Sequence, residues 1–542
     1  MSRNATIVAP QPEAVEAGAE VLERGGNAID AALACAFVQG VVDPQMSGIG
    51  GFGSMQVYMP KRGIHEMLEF YALAPAASTP DMWLNKLLGQ SRDGFGFILE
   101  DNISEIGYLA CCTPGSLKGY ETALRDYGTW EWGDLIKPAI RHAEEGFMIR
   151  PHMHWYWTKD QTSDGQVNTL DKLRFSETGR RIYFHDDGSV RGVGDILRNP
   201  DLGQTLRRIA ESGNSDIFYH GEIAEQIASD FARNGGLIGL DDLAQYSVSK
   251  AAPVWGSYRG HRIASSPPPG SGFPMIELLH IMENFDVGAM THGSTEHIRT
   301  LFEAMKRMTI DKDMHMGDPE YVHVPVKQLL SKEHAAKLAE SIRRGERANV
   351  ERLDLSQRDT THISVIDAEG NAVAMTHSLG SPSGAITDGL GFMYNGLMGR
   401  FDPRPGRAAS IAPRKRRASS AAPTIVFDGE SPSIVIGAPG GSYIAPSVAQ
   451  GIMNMIDFKM DIHEAVSAPR IVGVSNSIDI SNRTRHSVAS DLRNDGYTVV
   501  RSPQAYAFAA LHGIQVKDGQ SAGAADPQRD GMAISIKAPK RS

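Results

Sequence analysis

Thr360 and Ser378 are the residues of this 542-residue chain whose types and spacing most directly suggest chemistry. Thr360 opens the run Thr360-Thr361-His362-Ile363-Ser364-Val365, a strand pattern that follows a polar stretch ending in Asp359. The chain then turns through Ala368-Glu369-Gly370-Asn371 and returns as Ala372-Val373-Ala374-Met375-Thr376-His377-Ser378, which reads as a hairpin with Gly and Asn supplying its turn. A hairpin symmetric about Glu369 faces Thr360 with Ser378. Cross-strand partners carry Cβ atoms roughly 4.5–5.5 Å apart, close enough for one hydroxyl to orient the other. A threonine hydroxyl is a poor nucleophile until a base takes its proton, and cutting the preceding peptide bond frees the residue's own α-amino group to be that base. Such an amine titrates near about 7.7–8.0, so a neutral fraction is present at pH 7. The expectation is a precursor that cleaves itself between Asp359 and Thr360, after which Thr360 attacks an amide carbonyl and water or an amine resolves the acyl-enzyme. Threonine is also a common strand residue, so the surrounding sequence has to decide.

That surrounding sequence carries an ordered set of further motifs. Gly25-Gly26-Asn27-Ala28-Ile29-Asp30-Ala31-Ala32 and Gly48-Ile49-Gly50-Gly51 lie near the N-terminus. Thr113-Pro114-Gly115-Ser116, Gly235-Gly236 with Asp242-Leu243-Ala244-Gln245-Tyr246, Pro267-Pro268-Pro269-Gly270-Ser271-Gly272 and Gly317-Asp318-Pro319 follow. Ser419-Ser420, Pro439-Gly440-Gly441-Ser442 and Ala525-Asp526-Pro527 close the series. Together with the Thr-Thr-His strand, this order resembles the γ-glutamyltranspeptidase family of N-terminal-nucleophile hydrolases over nearly the whole chain.

The resemblance implies an α+β fold, a four-layer αββα sandwich built jointly from residues 1–359 and 360–542, and a reaction that needs no metal or organic cofactor. It makes Thr360 the nucleophile, Ser378 the orienting hydroxyl, Gly440 and Gly441 the oxyanion hole, and Ser419 and Ser420 the holders of the substrate's carboxylate, with Thr361 beside the nucleophile also counted as substrate-binding. Consecutive glycines suit the oxyanion role because no Cβ keeps a ligand from the backbone N–H groups. The departures cluster in substrate recognition. Tyr71 stands where glutamyl-type transpeptidases carry an arginine before Ala-Pro, Gly380 replaces an asparagine, Leu397 replaces a glutamine, and Arg400 replaces the aspartate that pairs with the substrate's ammonium. Within the family the choice is between a γ-glutamyl hydrolase or transferase and an acylase of the glutaryl-cephalosporin kind; a non-catalytic binding protein on the same fold is the rival from another class. Poor activity on γ-glutamyl substrates and better activity on glutaryl amides is the expectation. The two chains are expected to stay associated, with a dimer of such heterodimers as one assembly.

The elements that must position these residues are legible in part. Apolar residues at helical spacing run from about Pro12 to Phe37, with Gly25-Gly26 as a break. Ser54 to Met59 reads as a strand, Ser294 to Thr309 as a helix, and Thr424-Ile425-Val426-Phe427 with Ser433-Ile434-Val435-Ile436 as a second hairpin. Residues 404–417 carry Arg404, Arg407, Arg414, Lys415, Arg416 and Arg417, either a solvated face or an electropositive rim that steers an anionic substrate. Gly48-Ile49-Gly50-Gly51-Phe52-Gly53 fits a dinucleotide fingerprint, but a strand follows it where a helix is required. His152 and His154 lack acidic or cysteine partners nearby and read as packing.

Composition bounds the rest. The 41% hydrophobic and 22% charged content describes a globular protein with a sizeable core. A net charge of −10 argues against a nucleic-acid partner. No apolar run reaches membrane-spanning length, so no membrane partner is expected. The N-terminus shows no apolar signal core, so a cytoplasmic location is the expectation. Cys35, Cys111 and Cys112 are the three cysteines and imply no disulfide framework.

Overall fold

A computed structural model describes residues 4–91, 94, 96–161, 166–351 and 360–537. The Asp359 side of the expected scission point lies outside the described residues.

Two antiparallel sheets form the centre. The first runs Gly531–Lys537, Asn4–Pro10, Thr361–Ile366, Ala372–Ser378, Phe52–Met59, Ile64–Phe70 and Ser249–Ala251 in spatial order. The second runs Gln520–Ala525, His512–Lys517, Ser431–Gly437, Thr424–Asp428, His261–Ser265 and Val254–Tyr258. Strands from both sides of Thr360 sit in each of these two sheets, so neither central sheet is complete within one half.

Strand alternation builds the layers. Ile7, Ile363, Val365, Val373 and Met375 face helices Pro12–Glu23 and Ala28–Val42 in one core. Val8, Ile366, Ala372 and Ala374 face the other way and meet Ala264, Ile425, Val435 and Ile514 of the second sheet. On the far side, Ile263, Val426 and Ile436 pack under helices Gly272–Met282, Thr295–His315 and Ile444–Ile456. This is the αββα sandwich. The sheets approach closely at one point: a Cβ on Gly437 would lie 2.1 Å from the His362 ring, so only glycine fits there.

The N-terminal motif explains itself locally. Asn27 caps helix Ala28–Val42 by accepting from the Ile29 and Asp30 N–H groups, and Asp30 accepts in return from the Asn27 N–H, a reciprocal box that ends the Gly25-Gly26 break. The Ala28 N–H also donates to Asp367 Oδ2 at 3.1 Å. Asp367 Oδ1 accepts from the Glu369 and Asn371 N–H groups, so one carboxylate fixes the turn of the Thr360 hairpin and ties it to the helical layer. Among the described residues no helix is long and apolar enough to cross a membrane.

Candidate active site

The hairpin register is symmetric about Glu369, from Thr361 opposite His377 to Ile366 opposite Ala372. Its open end brings Thr360 and Ser378 together, with the Ser378 hydroxyl donating to Thr360 Oγ1 at 3.3 Å. The Gly380 N–H donates to Ser378 Oγ at 2.7 Å and fixes that hydroxyl. Thr360 is 6% exposed. Arg529 donates to its carbonyl oxygen at 2.7 Å. That arginine ends the short helical turn Pro527–Arg529, which Asp526 caps through the Gln528 N–H. Asp526 in turn pairs with buried Arg470. The Ala525-Asp526-Pro527 motif thus positions a contact to Thr360 that sequence reasoning missed; the signal available was the motif itself.

Thr360 opens on a recess lined by Phe52, Thr376, Ser378, Arg417, Ser419, Ser420, Ala421 and Ile444. The proline-glycine loop holds the serine pair in place: the Ser419 N–H donates to the Pro269 carbonyl at 2.7 Å, Ser271 Oγ donates to the Ser419 carbonyl at 2.8 Å, and Ser266 Oγ donates to the Ala421 carbonyl at 2.9 Å. Ile444 begins helix Ile444–Ile456, and Gly440-Gly441 form the turn that leads into it. Gly440 has φ 139°, and a Cβ there would lie 2.6 Å from Ala509. The turn therefore requires glycine twice over, by backbone conformation and by space.

Among the described residues, Arg417 is the cation that lines this recess. It is 6% exposed, and burial, followed by the nearby Arg400 charge, pushes its titration down to about 9. Backbone contacts carry it inward: the Arg414 N–H donates to the Ala74 carbonyl at 2.9 Å, the Ala74 N–H to the Lys415 carbonyl at 3.0 Å, and the Arg417 N–H to the Ala72 carbonyl at 3.4 Å. The neighbouring charges of the basic segment are largely engaged elsewhere. Arg404 pairs with Asp402, Lys415 donates to the Ala408 and Ser410 carbonyls, and Arg416 pairs with Asp318 and Glu69. Arg407 stays exposed, so part of the segment is solvated, while Arg417 is the member that lines the recess.

Three expected substrate contacts sit elsewhere. Thr361 points to the helical layer because it is one residue out of phase with Thr360, and its hydroxyl accepts from the Gln39 amide at 3.2 Å. Arg400 is buried against Glu105 at 3.1 Å, and Glu105 also binds Lys172 at 3.2 Å. Burial opposes ionisation of Glu105, but Arg400 and then Lys172 outweigh it and hold the carboxyl below the usual range. Tyr71 lies one layer behind the recess, its ring centroid 6.4 Å from that of Phe52, in an apolar cluster with Leu397, Met398 and Phe401.

Neither histidine of the hairpin acts as a base here. His362 lies between the sheets, with Nδ1 2.7 Å from Thr376 Oγ1 and Nε2 3.1 Å from Ser364 Oγ. Burial drives it well below the ordinary imidazole range. His377, on the other face, bonds Tyr120 Oη and Gln39 Oε1 and is pushed down to about 3 by burial. Cys35, Cys111 and Cys112 are buried free thiols, and His152 is a half-buried ring beside Trp155.

The four-layer αββα sandwich, with a threonine leading a central strand and a serine hydroxyl 3.3 Å away on the partner strand, is the architecture of an N-terminal-nucleophile hydrolase. The chain belongs to the gamma-glutamyltranspeptidase family, whose model matches residues 14–536. It is 35% identical over 539 residues to an acylase ACY 1 proenzyme from Pseudomonas sp. (strain V22), covering 98% of this chain and 93% of that one. It is 33% identical over 493 residues to a glutathione hydrolase proenzyme from Escherichia coli, covering 86% and 81%. Among solved structures, a cephalosporin acylase from Bacillus halodurans superposes with a TM-score of 0.86 at 27% identity, covering 98% and 96%. The protein is a hydrolase or acyltransferase of this family.

Proposed function

We propose that the chain cleaves itself before Thr360 and then hydrolyses amides of a dicarboxylic acid that lacks an α-amino group, such as a glutaryl amide, through a Thr360 acyl-enzyme. The proenzyme names of the relatives support the cleavage. The freed amine takes the hydroxyl proton, Ser378 orients the oxygen, and the Gly440 and Gly441 N–H groups stabilise the oxyanion of the tetrahedral intermediate. The 3.3 Å between the hydroxyls is long for such a bond, as catalytic hydrogen bonds often are before substrate is bound.

The observation that carries the substrate reading is the polarity of the recess. Among the described residues its lining contains one cation, Arg417, four hydroxyls besides Thr360, apolar walls and no carboxylate. A distal carboxylate of the acyl group finds Arg417 and Ser419-Ser420 together, whereas an α-ammonium finds no acidic partner among the lining residues. Arg417 lines the recess, whereas Arg400 is set against Glu105 and is not among the lining residues. Initial rates on matched glutaryl and γ-glutamyl p-nitroanilides test the reading. A preference for glutaryl by roughly 10-fold or more in kcat/KM is expected from one charge-assisted contact; a preference for γ-glutamyl overturns the substrate assignment and leaves the nucleophile standing.

A further inference from the structure

Away from the reaction site, helices Gly272–Met282, Thr295–His315 and Lys332–Arg343 pack on one another in the outer layer. Each contributes one side chain to a common point: Glu277, Asp311 and His334. Glu277 is fully buried on a helix whose every residue is buried. Neither of its carboxyl oxygens has a hydrogen-bond partner among the described residues. Leaving such a group unsatisfied in the interior is costly, and the surrounding residues explain what would satisfy it. His334 Nε2 lies 2.7 Å from Asp311 Oδ2 and 3.5 Å from Glu277 Oε1, and one donor atom from each of the three residues falls within 4.8 Å of the others.

We propose that Glu277, Asp311 and His334 form a binding site for a divalent transition-metal cation of the zinc class, which fastens the three helices together. One imidazole nitrogen and two carboxylate oxygens are a donor set such ions accept. Bonds of about 2.0–2.1 Å to a tetrahedral ion place neighbouring ligand atoms roughly 3.3 Å apart. The observed 2.7 and 3.5 Å bracket that spacing, so small side-chain rotations suffice. Charge balances as well, since two carboxylates and a neutral imidazole neutralise a divalent ion. Ser331 Oγ, which accepts from the His334 N–H at 3.1 Å, fixes the start of the third helix and with it the imidazole.

The test uses the full chain without an affinity tag, stripped with a chelator and equilibrated with Zn²⁺ alone, with bound metal counted by elemental mass spectrometry. One equivalent is expected at micromolar free Zn²⁺. Glu277→Gln and His334→Ala should each weaken binding by about 100-fold or more, while circular dichroism shows both folded. His334 is partly exposed, so its variant keeps the test open if Glu277→Gln misfolds. Binding of Co²⁺ by wild type, read by its visible absorption and lost in both variants, gives a second readout. Substoichiometric Zn²⁺ in wild type overturns the proposal in favour of a metal-free carboxyl–carboxylate pair. Equal binding by wild type and both folded variants overturns it in favour of surface histidines.

Discussion

Arg417→Met removes the one cation that lines the recess among the described residues and retains a long unbranched side chain. A carboxylate held by arginine in a buried setting gains about 1.5–3 kcal/mol from a charge-assisted hydrogen bond. Losing that contact in the transition state lowers kcat/KM by roughly 10-fold to 150-fold. The perturbation has a built-in control, because a pentanoyl amide matches a glutaryl amide in length and lacks the distal carboxylate. Initial rates of wild type and Arg417→Met on glutaryl and pentanoyl p-nitroanilides should show the loss on the first substrate and little change on the second. Thermal stability should hold or rise, since burial and Arg400 already disfavour the charged form of Arg417. An equal loss on both substrates would mean that Arg417 supports the fold of the recess and does not read the acyl group; no loss on either would remove it from the site altogether.

Ser378→Ala should lower kcat by about 10-fold to 1,000-fold with KM little changed, because the hydroxyl orients Thr360 and does not anchor the acyl group; a raised KM at unchanged kcat reverses that assignment. Gly440→Ala should cost about 1–3 kcal/mol of stability and most of the activity, since its Cβ would press on Ala509 at a φ of 139°; denaturant titration beside a rate measurement separates the two effects. Burial holds His377 and His512 down to about 3 and 4 in the folded chain, so the unfolded chain binds the extra protons. Their contribution to stability is present in full above about pH 6.5 and is lost as pH falls toward the folded values. Melting temperature followed from pH 7 to 4 should therefore fall steadily, and a flat profile over that range contradicts the burial assignment.

The sequence disclosed the parts of this molecule that depend on local rules. Period-two alternation and a Gly-Asn turn set the Thr360 hairpin register, and the observed pairing agrees with it to the residue. The first helix pair and its break were legible for the same reason, although the second helix runs on to Val42 through largely buried residues and the 294–309 segment continues to His315 through half-buried and exposed ones that carry no apolar stripe. Ser419 and Ser420 were found by motif and do line the recess. What sequence could not show is which way a charge points. Arg400 and Arg417 look alike in a basic neighbourhood, and only the distant partners Glu105 and Ala72 separate a balanced structural cation from one in the pocket. Thr361 was grouped with its neighbour by proximity in the chain, whereas the pleat sends it to Gln39. Arg529 reaches Thr360 across 169 positions of sequence, a contact no local pattern encodes.

The central claim is that Thr360 becomes a chain terminus and carries the acyl group. Intact-mass spectrometry of the purified 58.8 kDa protein, alone and after rapid quenching with a glutaryl amide, tests it most directly. The account predicts two associated chains of about 39 and 20 kDa. In the quenched sample the smaller chain gains the mass of one glutaryl group, mapped by fragmentation to Thr360, and Thr360→Ala stays uncut. An active protein that remains full-length, or an adduct mapped to any other residue, contradicts it.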